Sequence, residues 1–262
     1  MTLTQLRKLK REGEKITCLT AYDASFAHLL EHANIDILLV GDSLGMVIQG
    51  HDSTLPVTVD DMIYHCKQVH RGCQQTLLIV DMPFMSYATP AIALKSAARL
   101  MREGQAQVVK LEGGGWLIET VQILTERGIP VCAHLGLTPQ SVHQIGGYRV
   151  QGKTERGAER IRDDAVALQT AGASLLILEC VPGDLAAEIT ALLDIPVIGI
   201  GAGAGCDGQV LVLYDMLGIT PGKRPSFSKD FLQETGSIPA AIEVFVKAVK
   251  EGTFPGVEHT FK

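Results

Sequence analysis

Six ionisable side chains stand directly behind short apolar runs, and their types and order limit the chemistry that this chain could do. Asp23 follows Leu19-Thr-Ala-Tyr22, Asp42 follows Ile37-Leu-Leu-Val-Gly41, and Asp81 ends Leu77-Leu-Ile-Val80. Glu112 ends Val108-Val-Lys-Leu111, His134 ends Val131-Cys-Ala133, and Glu179 ends Leu175-Leu-Ile-Leu178. Any one acid behind a strand reads equally well as a helix cap or a loop surface residue; six in succession read as a site. Lys110 and Glu112 lie two residues apart, so on a strand both point to one side while Val109 and Leu111 point to the other. A structural Lys–Glu pair is the bland alternative for these two. If Asp42, Asp81 and Glu112 converge within about 5 Å, each pair repels by roughly 3 kcal/mol at an effective dielectric near 20. One Lys110 offsets a single charge of the three. Either some of the acids stay protonated or a divalent cation is bound. Oxygen ligands favour Mg²⁺ or Mn²⁺ over Zn²⁺, and few protein ligands leave coordination positions for substrate and water. Glu179 lies further along the series and is the candidate for a separate base.

The elements that must position these residues recur with a regular beat. Strands are expected at Ile16–Ala21, Ile35–Gly41, Thr76–Asp81, Gln107–Glu112, Ile129–His134, Ser174–Glu179, Ile195–Ile200 and Val210–Asp215. That is one strand per about 33 residues, the length of a βαβ repeat. Between them run helical stripes: Met62, Cys66 and Val69; Leu94, Ala97, Ala98 and Met101; Leu117, Val121 and Leu124; Ile161, Ala165 and Leu168. Thr58, ahead of Val59-Asp-Asp61, offers an N-cap with acids in the first turn. Gly128 and Gly172 close helices just before strands that Pro130 and Pro196 open. Continuous apolar strands alternating with amphipathic helices indicate a parallel sheet covered by helices. Eight repeats point to an α/β fold of the closed (β/α)8 barrel kind, a TIM barrel formed by a single domain over residues 1–262. In such a barrel the C-terminal strand ends converge on one mouth. A last helix is expected near Ile238–Glu251, whereas Pro221–Gly236 is loop-rich and polar and carries no readable conformation.

The composition excludes several other classes. A chain of 262 residues, 46% hydrophobic, has material for one full-sized core. With 23 Lys+Arg against 29 Asp+Glu the net charge is −6, which argues against a nucleic-acid or anionic-membrane surface. The apolar runs are strand-sized, and the first ten residues hold no apolar leader core, so neither a membrane span nor a secretion signal is expected. Six cysteines (Cys18, Cys66, Cys73, Cys132, Cys180, Cys206) show no C-x-x-C pair and read as small buried hydrophobes of a cytoplasmic protein. Gly199-Ile-Gly-Ala-Gly-Ala-Gly205 follows the seventh strand without the acidic partner that a dinucleotide fold needs. Its glycines fit either a phosphate loop or close backbone approach at the mouth, the latter being preferred. Gly113-Gly-Gly115 is expected to leave space for a substrate. Gly146-Gly-Tyr148 reads as a turn of a long loop, a candidate lid, and Val142–Gly157 carries little helical signal.

Ten stretches give this sequence a close resemblance to a known family. They are Thr20-Ala-Tyr-Asp23, Val40-Gly-Asp-Ser-Leu-Gly45, Thr54-Leu-Pro-Val-Thr58, Asp81-Met-Pro-Phe-Met-Ser-Tyr87 and Val109-Lys-Leu-Glu-Gly-Gly114. They continue with His134-Leu-Gly-Leu-Thr-Pro-Gln-Ser141, Leu178-Glu-Cys-Val-Pro182, Ile198-Gly-Ile-Gly-Ala-Gly203, Asp207-Gly-Gln-Val-Leu-Val212 and Phe254-Pro-Gly-Val-Glu-His259. In these the chain resembles the ketopantoate hydroxymethyltransferases, in order and over essentially its whole length. The resemblance implies a (β/α)8 barrel that moves a hydroxymethyl group from 5,10-methylenetetrahydrofolate to 3-methyl-2-oxobutanoate, giving 2-dehydropantoate for pantothenate synthesis. By the same resemblance Asp42 and Asp81 are Mg²⁺ ligands, and Glu112 reaches the ion directly or through water. Ser43 and Lys110 hold the substrate carboxylate, His134 lies beside the substrate, and Glu179 is the general base. A cytoplasmic homo-oligomer, a decamer, is also implied.

Elementary chemistry agrees with this assignment. A 2-oxo acid chelates Mg²⁺ through its carboxylate and keto oxygens, and the ion stabilises the enolate left when C3 loses its proton. Two other readings share parts of the pattern. A Mg²⁺-dependent C–C lyase or mutase acting on a 2-oxo acid needs the same metal and enolate but no folate. A non-catalytic barrel that senses a 2-oxo acid or a metal explains the acids but leaves Glu179 without a role.

Overall fold

A computed structural model describes residues 1–262. Eight strands form a closed parallel barrel in chain order: β1 (Ile16–Thr20), β2 (Ile37–Val40), β3 (Leu77–Asp81), β4 (Val108–Glu112), β5 (Val131–Gly136), β6 (Leu175–Glu179), β7 (Val197–Ile200) and β8 (Gly208–Leu211), with β8 pairing back onto β1. The expected (β/α)8 barrel is the observed fold. Strand alternation divides its apolar residues into two sets. Inside the barrel, Ile16, Cys18, Ile37, Leu39, Leu77, Ile79, Val108, Cys132, Leu175, Ile177, Ile198, Ile200 and Val210 form a compact core. Their neighbours in sequence, such as Val80, Val109, Leu111, Leu176 and Leu178, face outward into a larger layer shared with the helices.

The helical ring is α1 (Leu3–Glu12), α2 (Ala24–His32), the short α3 (Leu44–Val47), α4 (Val59–Gly72), α5 (Pro90–Arg102), α6 (Ile118–Glu126), the short α7 (Val142–Ile145), α8 (Glu155–Thr170), α9 (Gly183–Leu192), the short α10 (Leu213–Met216) and α11 (Leu232–Thr235), and α12 (Ile238–Lys250). Side-chain caps start most of the long helices. Thr58 and Asp61 form a reciprocal capping box on α4, Thr89 caps α5 with Pro90 behind it, and Thr154 and Ser237 cap α8 and α12. Gly128 and Gly172 take positive φ, as helix closure before a strand requires. No helix is long and apolar enough to cross a membrane. All six cysteines are free and buried.

Two expectations need correction, and two elements are added to them. The eighth strand is Gly208–Leu211, not Val210–Asp215. A Cβ at Gly208 would lie 2.3 Å from the Ile16 carbonyl oxygen, so glycine lets β8 approach β1 there. The chain then turns into α10 as the Leu213 N–H donates to Thr20 Oγ1 at 2.9 Å, which ends the apparent alternation. The Val142–Gly157 stretch contains α7 and the start of α8. Within Pro221–Gly236, Leu232–Thr235 is helical and closes on Gly236 in the left-handed region. Finally, α1 has no counterpart among the expected helices. Its Leu6 is fully buried against the inner core, so this helix covers the N-terminal end of the barrel, opposite the mouth.

Candidate active site

Strand register builds the site. Asp81 on β3 is paired with Lys110 on β4, Glu112 with His134 on β5, and Gly136 with Glu179 on β6. Paired residues of parallel strands share a face, so Asp81, Lys110, Glu112, His134 and Glu179 form one inward-facing polar layer above the apolar core. Asp42 and Ser43 join it from the turn after β2. Lys110 is the hub. Its Nζ lies 2.9 Å from Asp81 Oδ1, 3.6 Å from Glu112 Oε1 and 3.3 Å from His134 Nδ1. His134 places Nδ1 3.4 Å from Glu112 Oε1 and Nε2 3.3 Å from Glu179 Oε2. The Asp42 N–H donates to Asp81 Oδ2 at 3.0 Å. Ser43 Oγ meets Tyr22 Oη at 2.9 Å, and a Cβ at Gly41 would come within 2.8 Å of Ser43 Oγ and 3.5 Å of Asp81 Oδ2. A side chain at 41 would therefore displace Ser43. The expected residues thus stand together, with Asp23 as the exception. Asp23 accepts the Phe26 N–H and caps α2, the ordinary role of an acid behind a strand.

The layer is almost wholly buried, and burial drives its electrostatics. Burial opposes the charge on Lys110, but Asp81, Glu112 and Asp42 outweigh it and hold the ammonium firmly charged. Burial also opposes an ionised Glu112, yet Lys110, His134 and the Gln140 N–H keep its carboxyl below its ordinary range. Burial and Lys110 disfavour His134⁺, while Glu112 and Glu179 prevail and raise its pKa from 6.5 to about 9. Asp42 goes the other way. Burial first, then Asp81 and Glu112, push its carboxyl well above the usual range. The cations of this site are spent on the β3–β6 side, and the Asp42 side is short of positive charge.

The donor set fits a hard divalent cation. Asp81 Oδ1 is a buried oxygen that receives no well-directed hydrogen bond, despite its contact with Lys110. It shares the mouth with Asp42, whose carboxyl is destabilised as an anion by burial and by the neighbouring Asp81 and Glu112. No three His, Cys, Asp or Glu side chains are gathered as a ready-made ligand set. Two carboxylates with the other positions left to water and substrate is a common arrangement for Mg²⁺.

Two residues with no assigned role in the sequence reading belong to the site. Gln140, in the turn after β5, is buried; its Nε2 donates to Asp42 Oδ2 at 2.8 Å and to the Met82 carbonyl at 2.9 Å, and its N–H donates to Glu112 Oε2 at 3.0 Å. Tyr87 donates its hydroxyl to Gln140 Oε1. Both lie in stretches that carry the family resemblance, but a loop glutamine has no periodicity to mark it. One glycine expectation changes and another holds. Gly113 and Gly114 face Trp116 and Asp164, with would-be Cβ contacts of 2.6 and 2.0 Å, so their space is filled by this chain and not left for substrate. The Gly199–Gly205 cluster packs closely on Cys206, Phe227, Thr260 and Ala187, which matches the close-approach reading. The Gly146-Gly-Tyr148 turn reaches across the mouth, where Tyr148 Oη donates to Met46 Sδ at 3.5 Å.

Comparison with known proteins separates fold from family. Solved structures of similar fold include a 2,3-dimethylmalate lyase (17% identity, 91% of this chain and 90% of that one, TM-score 0.59) and a phosphoenolpyruvate phosphomutase from Streptomyces platensis subsp. rosaceus (12%, 92% and 90%, TM-score 0.63). At those identities the likeness is one of fold alone. Two curated relatives, both named 3-methyl-2-oxobutanoate hydroxymethyltransferase, are far nearer. The one from Nitrosococcus oceani is 67% identical over 261 residues, covering 100% of this chain and 99% of its own. The one from Shewanella loihica is 60% identical, covering 100% and 98%. The sequence profile of the ketopantoate hydroxymethyltransferase family matches residues 1–257. Matched from end to end in this way, the chain belongs to the ketopantoate hydroxymethyltransferase family.

Proposed function

We propose that this enzyme transfers a hydroxymethyl group from 5,10-methylenetetrahydrofolate to 3-methyl-2-oxobutanoate, giving 2-dehydropantoate and tetrahydrofolate in pantothenate biosynthesis. The net reaction breaks the C3–H bond and both C–N bonds of the methylene bridge, forms a C3–carbon bond to the one-carbon unit, takes the hydroxyl oxygen from one water, and leaves the two displaced protons on the folate nitrogens. Glu179 is the general base: of the acids that end β3, β4 and β6 it is the one that does not contact Lys110, its partner being His134. Its neighbour His134, cationic below a pH of about 9, orients the carboxylate and holds a compensating charge beside the reacting carbon. Lys110 and Ser43 bind the substrate carboxylate. Asp42 and Asp81 would hold Mg²⁺, with Glu112 acting directly or through water. When bound, the ion supplies Lewis acidity at the carboxylate and keto oxygens and lowers the cost of the charge that grows on the keto oxygen. Apolar residues below the layer and the Tyr148 turn above it keep bulk water from that charge. In this reading the chain is one catalytic domain that works in the cytoplasm as a homo-oligomer, a decamer, and recognises small molecules, with no nucleic-acid or membrane partner.

The observation that carries the reading is the end-to-end match to the family in a chain whose β3–β6 register stacks Asp81, Lys110, Glu112, His134 and Glu179 on one face. The test is deuterium exchange at C3 of 3-methyl-2-oxobutanoate, followed by NMR with Mg²⁺ or with EDTA, and then with methylenetetrahydrofolate. Mg²⁺-dependent exchange that turns into hydroxymethylated product on adding the folate is the expected result. Exchange without product would point to a lyase or another electrophile, and no exchange in any condition would reject the base and metal roles.

A further inference from the structure

We infer that Gln140 is a positioning residue that aims Asp42 at the divalent cation, and that Tyr87 locks Gln140 in the orientation this needs. The inference rests on the metal reading above and names two residues that reading does not use. Every polar group of the Gln140 side chain is committed. Its amide nitrogen gives one hydrogen to Asp42 Oδ2 at 2.8 Å and the other to the Met82 carbonyl at 2.9 Å. Its amide oxygen accepts from Tyr87. A flipped amide would set oxygen against both the Asp42 carboxylate and the Met82 carbonyl, so one orientation is favoured. Tyr87 is fixed in turn: it accepts the Glu112 N–H at 3.4 Å, and its ring stacks on Trp116 at 5.9 Å and 12°.

The choice of side chain has a physical reason. A lysine or arginine contacting Asp42 would neutralise it and compete with an incoming cation. A neutral amide fixes one carboxylate oxygen and leaves the charge in place, so the other oxygen can face the ion. The same residue reaches Glu112 through its own N–H, at 3.0 Å from Oε2. The 3₁₀ turn Pro139–Ser141 therefore ties the acid after β2 to the acid at the end of β4. Hydrogen-bonding partners behind metal ligands typically alter metal affinity by about 10- to 100-fold when removed.

The test is the affinity for Mn²⁺ alone, read by electron paramagnetic resonance and repeated with Mg²⁺ by calorimetry, with no substrate and no turnover. Gln140→Met keeps the size and removes the donors; its Mn²⁺ dissociation constant is expected to rise by about 10- to 100-fold. Tyr87→Phe removes the lock, together with a long contact to the Glu112 backbone, and is expected to cost roughly 3- to 10-fold. Because Tyr87 acts through Gln140, adding Tyr87→Phe to Gln140→Met should cost nothing more. Wild-type affinity in Tyr87→Phe, or additive losses in the double variant, would overturn the inference, as would wild-type affinity in a folded Gln140→Met. If Gln140→Met does not fold, the Tyr87→Phe value decides alone. Failure of the unaltered enzyme to bind either ion would instead reject the metal reading and the inference with it.

Discussion

Glu179→Gln is the substitution that bears most directly on the mechanism. Glutamine keeps the length and shape of the side chain, and Oε1 or Nε2 can remain where Glu179 Oε2 now sits, 3.3 Å from His134 Nε2. Neither Asp42 nor Asp81 contacts Glu179, so the ion site should be spared. The amide cannot accept the C3 proton. Loss of a positioned base costs about 10²- to 10⁴-fold in rate, equivalent to about 3–5 kcal/mol at roughly 1.4 kcal/mol per tenfold. The exchange rate at C3, measured by NMR in D₂O with saturating Mg²⁺ and 2-oxo acid, should fall by that factor, while Mg²⁺ affinity stays within about threefold of wild type. A second effect follows from the geometry. Glu179 is one of two anions that raise the His134 pKa to about 9, so the imidazole should titrate at lower pH in the variant. Exchange within about tenfold of wild type would remove Glu179 as the base. Lost exchange together with lost Mg²⁺ binding would show that the substitution had damaged the site as a whole.

Further outcomes follow from single contacts. His134 is held above its ordinary 6.5 at about 9, so its protonated form contributes stability that is complete below pH about 6.5 and is lost as pH rises through 9. Denaturant titrations of the metal-free chain should show a decline on the order of 3 kcal/mol across that window, and a flat profile would contradict the assigned charge. Gly136→Ala puts a Cβ 2.2 Å from the Glu179 carbonyl oxygen at a residue with φ of 90°. C3 exchange should fall by about tenfold or more although no polar group is removed, and an unchanged rate would argue against tight placement of the base. Leu6→Ala empties the plug beneath the barrel and should cost about 2–5 kcal/mol in chemical denaturation. Its Mg²⁺ affinity should remain that of wild type, because α1 lies at the end opposite the mouth.

The barrel and most of the site were legible because both are written in short-range patterns. Apolar runs such as Leu77–Val80 and Leu175–Leu178 mark strands buried on both faces, and the polar residue that ends each run marks the mouth. Two-residue alternation also places Lys110 and Glu112 together and sends Val109 and Leu111 outward, as found. What was not legible depends on contacts between distant segments. Gln140 is tied to Asp42 across 98 residues, and nothing local to a Pro-Gln-Ser turn encodes that. The run Gly113–Gly115 looks locally like open space, but Gly114 is a glycine because Asp164, some fifty residues later in the chain, lies where its side chain would stand. The start of the eighth strand is hidden for a related reason: Gly208 begins it by fitting against Ile16 at the far end of the chain. Asp23 shows the converse failure, a residue with the right local pattern that simply caps α2.

The uneven distribution of positive charge is the strongest argument that the site is completed from outside. Lys110 touches Asp81, Glu112 and His134, and His134 in turn lies between Glu112 and Glu179. The Asp42 carboxylate accepts from one neutral donor, the Gln140 amide. Were the layer merely structural, the cheaper arrangement would place an apolar residue at 42 or a cation beside it, since a buried unpaired acid costs stability. Instead, Glu112 is kept readily ionised and Asp42 is not, although both are buried in one layer. A divalent ion at Asp42 and Asp81 would reverse that, binding the deprotonated carboxylate and releasing its proton. Uptake of Mg²⁺ should therefore tighten as pH rises and release protons, which calorimetry in buffers of different ionisation enthalpy measures. Ion uptake with no proton release would mean that Asp42 is already charged without the metal and that the site has no deficit of positive charge.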